Sequence, residues 1–398
     1  MNGTDSISYE KQFGIYPSAE FCPQYDPDGY SRIKAFAFAG VPLNGTDTKV
    51  FAFIGIPENC RFPAPAVILV HGGGCHPDCE WMNKWIDRGY IALAMDTTGY
   101  FPAKEHTAFS EGNRGEWARK IPQGIASEGF SVSPDNSGMN DINISACDRW
   151  LYHAVSQVIL AHNILLEDSR VDSDKIGISG ISWGGVIVSA AIGIDRRFAF
   201  AVPVYGSAFL ADGLSQIDNP FRLPENSDWL AEKNYDGLEM PVMWLCWNDD
   251  CCFSVNSNAL SYAAVSESSP KSLLSMKHLM YHSHTNAYNC EEGYWFADRI
   301  INGKDVPAVS SVICNGELII DISQPVSSIR LFYITGKMEY VKQIKYGIDN
   351  CFMKQEWQIN NIKPSERKIK IPENAAEYYV EFTLDSGIVI CSDYFQNK

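Results

Sequence analysis

The segment ISGISWGG, Ile178 to Gly185, sets Ser182 between Gly180 and Gly184, directly after an apolar run and directly before a helix-like one. This G-x-S-x-G pattern describes a sharp turn from strand to helix, in which the serine takes a strained backbone conformation. The flanking glycines remove the side chains that would collide where the chain nearly touches itself, and the hydroxyl is pushed out of the sheet. A lone G-x-S-x-G also occurs by chance in glycine-rich chains. Its weight here comes from the order and distance of the parts around it.

From about residue 35 to 300, short apolar runs alternate with amphipathic stretches, the pattern of an α/β fold with a mostly parallel sheet and helices on both faces. Val50 to Ile56, Ala66 to Val70, Tyr90 to Met95, Lys175 to Ser179, Phe198 to Val204 and Pro241 to Leu245 read as strands. Ser272 to Met280 follows as another. Arg149 to Glu167 places Leu151, Val155, Val158, Ile159, His162 and Leu166 at spacings of three and four, which predicts a long amphipathic helix with Asp148 as its N-cap. A second helix is expected from Gly184 to about Gly193, its positive end towards Ser182. Residues 97–147 are rich in glycine, proline and scattered charge; so long a loop is usually functional, and it reads as a wall or lid over the site. Residues 206–239 are also irregular and offer Phe209, Phe221 and Trp229 as substrate contacts.

After Asn302 the period changes to two. Glu317 to Ile322, Ser328 to Ile334, Arg367 to Ile371, Tyr378 to Leu384 and Gly387 to Cys391 are separated by turn signals, which predicts a small antiparallel β-sandwich. A chain of 398 residues exceeds one ordinary core. The expected division is therefore a catalytic domain over 1–302, with its lid-like insertion near 97–147, and a β domain over 303–398.

A net charge of −16 without a basic run disfavours nucleic acid as a partner. No apolar stretch approaches the roughly eighteen residues of a membrane span, and the first residues lack the plan of a secretory signal, so a cytoplasmic protein without a membrane partner is expected. The 12 cysteines are scattered and read as mostly reduced and buried. Cys75, His76 and Cys79 beside His71 lack a second ligand pair of matching spacing and read as a glycine-rich loop rather than a zinc site. The adjacent Cys251 and Cys252 read as packing residues.

A nucleophilic serine needs a base, a group that orients the base, and donors for the oxyanion. With the order serine, acid, histidine, the search is confined to residues beyond Ser182. The strand PVMWLC runs into Trp247, Asn248, Asp249 and Asp250, and either aspartate can serve. Of His278, His282 and His284, the first lies within a strand run and reads as structural. His282 and His284 are the contenders, with His282 ahead and His284 then lining the pocket. His71 to Gly74 follows the strand AVILV; the amides of Gly73 or Gly74 together with that of Trp183 are the expected oxyanion donors. Neither metal nor organic cofactor is called for.

With these residues in hand, the chain resembles the α/β-hydrolases of the acetyl xylan esterase and prolyl-oligopeptidase-like group, related to dienelactone hydrolase, in a bacterial branch with a C-terminal β-sandwich. The resemblance rests on VHGGG at Val70 to Gly74, RGYIALAMD at Arg88 to Asp96, VDSDKIGISGISWGG at Val171 to Gly185, AVPVYG at Ala201 to Gly206, PVMWLCWNDD at Pro241 to Asp250 and HSH at His282 to His284. It implies Asp250 as the acid and His282 as the base. Trp247 stands where the group has glycine and could narrow the pocket. The implied activity is that of a serine esterase removing short acyl groups, chiefly acetyl, from a carbohydrate or small hydroxyl compound, with Trp81, Trp85, Trp117, Trp183 and Trp247 as aromatic surfaces for sugar rings. A peptidase of the prolyl-oligopeptidase type is the alternative, weakened by the lack of a propeller, and a catalytically silent binding module is a third reading. Self-association is left open.

Overall fold

The computed structural model describes residues 7–58, 60–73, 75–99, 141–215, 219–345 and 348–397, with only the backbone for 343–345 and 348–352. Residues 100–140, the greater part of the expected lid, lie outside the described residues, as do Gly74 and Trp117. No helix among the described residues is long and apolar enough to cross a membrane.

A nine-stranded sheet organises the first three hundred residues. Its strands are β1 (Glu20–Phe21), β2 (Ile33–Ala39), β3 (Lys49–Gly55), β4 (Ala64–Val70), β5 (Ile91–Met95), β6 (Val171–Ile181), β7 (Phe200–Val204), β8 (Met243–Trp247) and β9 (Leu273–Lys277). They lie in the order β1-β2-β3-β5-β4-β6-β7-β8-β9. From β5 to β9 every pairing is parallel, while β1, β2 and β3 form an antiparallel flank. β5, β7 and β8 are buried at every position, as parallel strands covered on both faces must be. The six anticipated strands and the one after Ser272 are all present, with ends shifted by up to four residues.

The helices are α1 (Glu10–Phe13), α2 (Cys79–Ile86), α3 (Trp150–Glu167), α4 (Trp183–Ile194), α5 (Val255–Ala263), α6 (His284–Tyr288) and α7 (Glu291–Ile301). α3 and α4 pack together against β4 and β6, and α5 covers β8 and β9. α2 and α7 meet through Trp85, whose ring lies 4.7 Å from Tyr294 and 6.3 Å from Phe200 of β7. Asp148 does not cap α3. Residues 146–148 form a separate 3-10 turn and Arg149 is extended, so the Asp148 carboxylate turns to the Asn44 amide at 2.6 Å. The Trp150 amide is instead taken by Asp141 at 2.7 Å.

A buried charge cluster joins α3 to the end of α4. Asp195 accepts hydrogen bonds from His162 at 2.9 Å and from Arg197 at 2.8 and 2.7 Å. Burial alone would raise the Asp195 pKa, but the Arg197 and His162 hydrogen bonds outweigh it and bring the carboxyl to about 2. The folded value thus lies below the unfolded one of about 3.9, so the stabilisation, on the order of 2 kcal/mol, is present above pH ~4 and lost as pH falls towards 2. Asp195→Asn is expected to lower the urea midpoint at pH 7 and to approach the wild type near pH 2.5. A gap that stays constant with pH would refute this assignment.

Beyond residue 302, β10 (Val309–Cys314), β11 (Glu317–Ile322) and β16 (Lys368–Lys370) make one antiparallel sheet. β12 (Val326–Ile334), β15 (Gln358–Ile362), β17 (Glu377–Leu384), β18 (Val389–Cys391) and β19 (Phe395–Gln396) make a second, and β13 (Tyr340–Lys345) pairs with β14 (Ile348–Met353). This region sits on the β9 edge of the large sheet. Ser275 donates to the Val389 carbonyl at 2.7 Å, and the buried Glu292 accepts from Lys277 at 2.7 Å and from the Val389 amide at 3.1 Å.

Candidate active site

Register within the parallel strands decides which loops meet. Val70 lies opposite Gly180, Ile181 opposite Val204, Val204 opposite Leu245 and Trp247 opposite Lys277. The segments that follow β4, β6, β7, β8 and β9 therefore emerge along one edge, the edge where parallel α/β sheets carry their sites.

Ser182, the residue after β6, takes φ 59° and ψ −121°, a left-handed φ that a serine adopts only under constraint. Its surroundings supply that constraint. A Cβ on Gly180 would lie 2.2 Å from the Gly184 carbonyl oxygen, and one on Gly184 would lie 2.0 Å from the Val70 carbonyl oxygen. Gly206 is equally confined, since its Cβ would meet the Ser182 carbonyl oxygen at 2.4 Å. The Ser182 amide donates to Val204 at 2.8 Å, which fixes the turn to the neighbouring strand. α4 begins at the next residue and directs its positive end at the turn.

The Ser182 Oγ lies 2.9 Å from Nε2 of His282, and Nδ1 of the same ring lies 2.8 Å from Oδ2 of Asp250. Both ring nitrogens are thereby occupied, one by a hydroxyl and one by a carboxylate. Asp250 is wholly buried, and its other oxygen accepts the amides of Cys252 at 2.8 Å and Phe253 at 3.3 Å. The imidazole lies flat on Tyr205, centroids 4.5 Å apart at 23°, and nearly parallel to Phe253 at 6.0 Å. The Tyr205 hydroxyl donates to the Tyr281 carbonyl at 3.0 Å, which ties the loop carrying His282 to the end of β7.

The remaining candidates take different places. Asp249 is buried, but the carboxylate on the imidazole belongs to Asp250. His284 opens α6, and its Nε2 accepts the Gly72 amide at 3.0 Å, so it holds the turn after β4 rather than the serine. That turn presses on the elbow, because a Cβ on Gly72 would lie 3.1 Å from the Ser182 Cβ. Gly73 follows it, half-buried, and Trp183 opens α4, where an amide has no carbonyl to serve within its own helix. The His71 ring is buried and structural, contacting the Gly72 carbonyl at 2.8 Å and accepting the Thr97 amide at 3.1 Å. Trp247 is only 3% exposed and meets Tyr281 edge-on at 5.3 Å, and Trp81, Trp85 and Trp183 are also buried. None of these four offers the exposed aromatic face expected of a sugar platform. Phe221 and Trp229 are buried as well, Phe221 stacked on Trp183 at 6.2 Å.

Sequence reasoning passed over Asn248. Its side-chain amide donates to the Tyr379 hydroxyl at 2.8 Å, its carbonyl accepts from Trp357 Nε1 at 2.9 Å, and its Oδ1 lies 3.3 Å from His278 Nδ1. Two residues before Asp250, the loop is thus clamped by the C-terminal strands. The only signal was an asparagine beside two aspartates, which names no partner.

Residues 145–240, the elbow included, match the prolyl oligopeptidase family. No curated protein matches the chain. Among solved structures it superposes on acetyl xylan esterase 1 from Thermoanaerobacterium sp. with a TM-score of 0.51 at 15% identity, over 73% of this chain and 92% of that one. The chain has the α/β-hydrolase fold. The chain is also similar to an acetyl xylan esterase from Paenibacillus sp., at a TM-score of 0.49 and 16% identity over 75% and 95% of the two chains. An acylaminoacyl peptidase from Pyrococcus horikoshii gives 0.46 and 14% identity, over 72% of this chain but 42% of the peptidase.

Proposed function

We propose that the protein is a serine esterase that removes short acyl groups, acetyl foremost, from a carbohydrate or small hydroxyl compound. The observation that carries this reading is the continuous Ser182–His282–Asp250 hydrogen-bonded line, 2.9 and 2.8 Å, at the strand-to-helix elbow. Ser182 attacks the ester carbonyl while His282 takes its proton at Nε2. Asp250 holds the Nδ1 proton and so fixes the tautomer with a free lone pair towards the serine. The amides of Trp183 and of Gly73 or Gly74 receive the oxyanion. His282 then protonates the departing alcohol, and water releases the acyl group by the same route in reverse. In this reading residues 1–302 carry the chemistry and 303–398 brace it.

Preference for esters is supported by the likeness to acetyl xylan esterase 1, which extends over 92% of that chain. A peptidase is the second reading, favoured by the prolyl oligopeptidase match over 145–240. The deciding experiment compares p-nitrophenyl esters from acetate to octanoate, an acetylated xylo-oligosaccharide and a proline-containing peptide anilide, with Ser182→Ala as control. Fastest turnover of acetate, with acetate released from the sugar, is expected. Anilide cleavage at a comparable rate would replace the esterase by the peptidase.

A further inference from the structure

We propose that the acid–histidine pair is also an inhibitory binding site for a thiophilic divalent cation of the Zn²⁺ type, held by Asp250, Cys252 and His282. A carboxylate oxygen of Asp250, the Sγ of Cys252 and a ring nitrogen of His282 all lie within 4.8 Å of one another. This is the group of three such ligands in mutual reach among the described residues. Asp250 is buried, whereas Cys252 and His282 are half-buried, so the donors stand where a cation can arrive.

Two features hold the donors together before any ion binds. The Asp250 carboxylate accepts the Cys252 amide at 2.8 Å, which folds the carboxylate and the thiol into one tight turn, and its second oxygen already faces His282. A mixed sulfur, nitrogen and oxygen set selects Zn²⁺ or Cd²⁺ over Mg²⁺ and Ca²⁺, which take oxygen ligands.

The chemistry of inhibition balances simply. The cation exchanges bound waters for the three ligands, and the Cys252 thiol gives its proton to solvent. The imidazole proton leaves Nδ1 for Nε2 as Nδ1 becomes a ligand. The ring then presents N–H to Ser182 and has no lone pair with which to take the serine proton. Inhibition therefore rests on His282 being the base, whereas binding itself does not.

Binding is read on the full chain carrying Ser182→Ala, titrated with CdCl₂ and ZnCl₂ by calorimetry and by the ultraviolet Cd–thiolate band. One cation per chain with the band present is expected, with at least a tenfold loss of affinity when Cys252→Ser or Asp250→Asn is added to the same background. MgCl₂ should give no heat. In the unsubstituted enzyme, ester hydrolysis should fall over the concentration range in which the cation binds and return with EDTA. Absence of the band, or affinity unchanged by both substitutions, overturns the site. Binding that leaves ester hydrolysis intact overturns inhibition. If no ester is cleaved at all yet the band appears and is lost with Cys252→Ser, the cation site stands and the esterase reading falls.

Discussion

Ser182→Ala is expected to lower ester turnover by about 10⁶-fold, and His282→Ala by a similar factor, because the serine and its base act as one unit. Asp250→Asn should cost about 10⁴-fold, since an amide on Nδ1 permits the wrong tautomer while leaving the geometry in place. The double variant Ser182→Ala/His282→Ala should be hardly worse than either single one. Covalent labelling by a fluorophosphonate, followed by intact mass, gives an independent reading: one adduct in the wild type and none in Ser182→Ala. Hydrolysis within tenfold of the wild type in His282→Ala would remove that residue from the base's role. His284 would be a poor replacement, as its Nε2 is engaged by the Gly72 amide 212 residues away in sequence.

The second large effect is steric. Gly184→Ala would put a methyl group 2.0 Å from the Val70 carbonyl oxygen and 2.7 Å from that of His71. Both obstacles are backbone, and Val70 is locked by its register opposite Gly180 in β6, so neither can swing aside as a flexible side chain would. The variant is expected to lose at least about 3 kcal/mol of stability, with a melting temperature lower by roughly 5–10 °C, and to be inactive even where it folds. Gly336→Ala is the control, because its nearest neighbour is the Gln355 amide at 3.8 Å and its φ is ordinary. Equal melting temperatures for the two variants would show that the elbow tolerates the crowding.

The parts of the fold that the sequence displays are those in which burial is one-sided or complete. The parallel strands reveal themselves as unbroken apolar runs, and β11, β12 and β17 by alternation. β2 is less visible because IKAFAFA gives three of its seven places to alanine, a weak strand former. β15 carries QINNI and is exposed at four of five positions, so it has no apolar stripe to detect; it exists by pairing with β12. In the candidate site, the serine, acid and histidine are legible because their order and their positions after strands narrow the field to a few side chains. What supports them is not. Tyr205 under the imidazole and His284 on Gly72 depend on which loops share an edge, and the buried tryptophans show that aromatic content says little about where a ring will face.

The clamp on Asn248 gives the chain a schedule. Trp357 lies 109 residues and Tyr379 131 residues beyond Asn248, so both are translated long after the aspartate they help to seat. Until those two residues join it, the loop carrying Asp250 lacks the hydrogen bonds that Asn248 makes to Tyr379 and Trp357. The strands beyond residue 302 are thus made after the elbow, His282 and Asp250, and add a late hold on the loop that carries the aspartate.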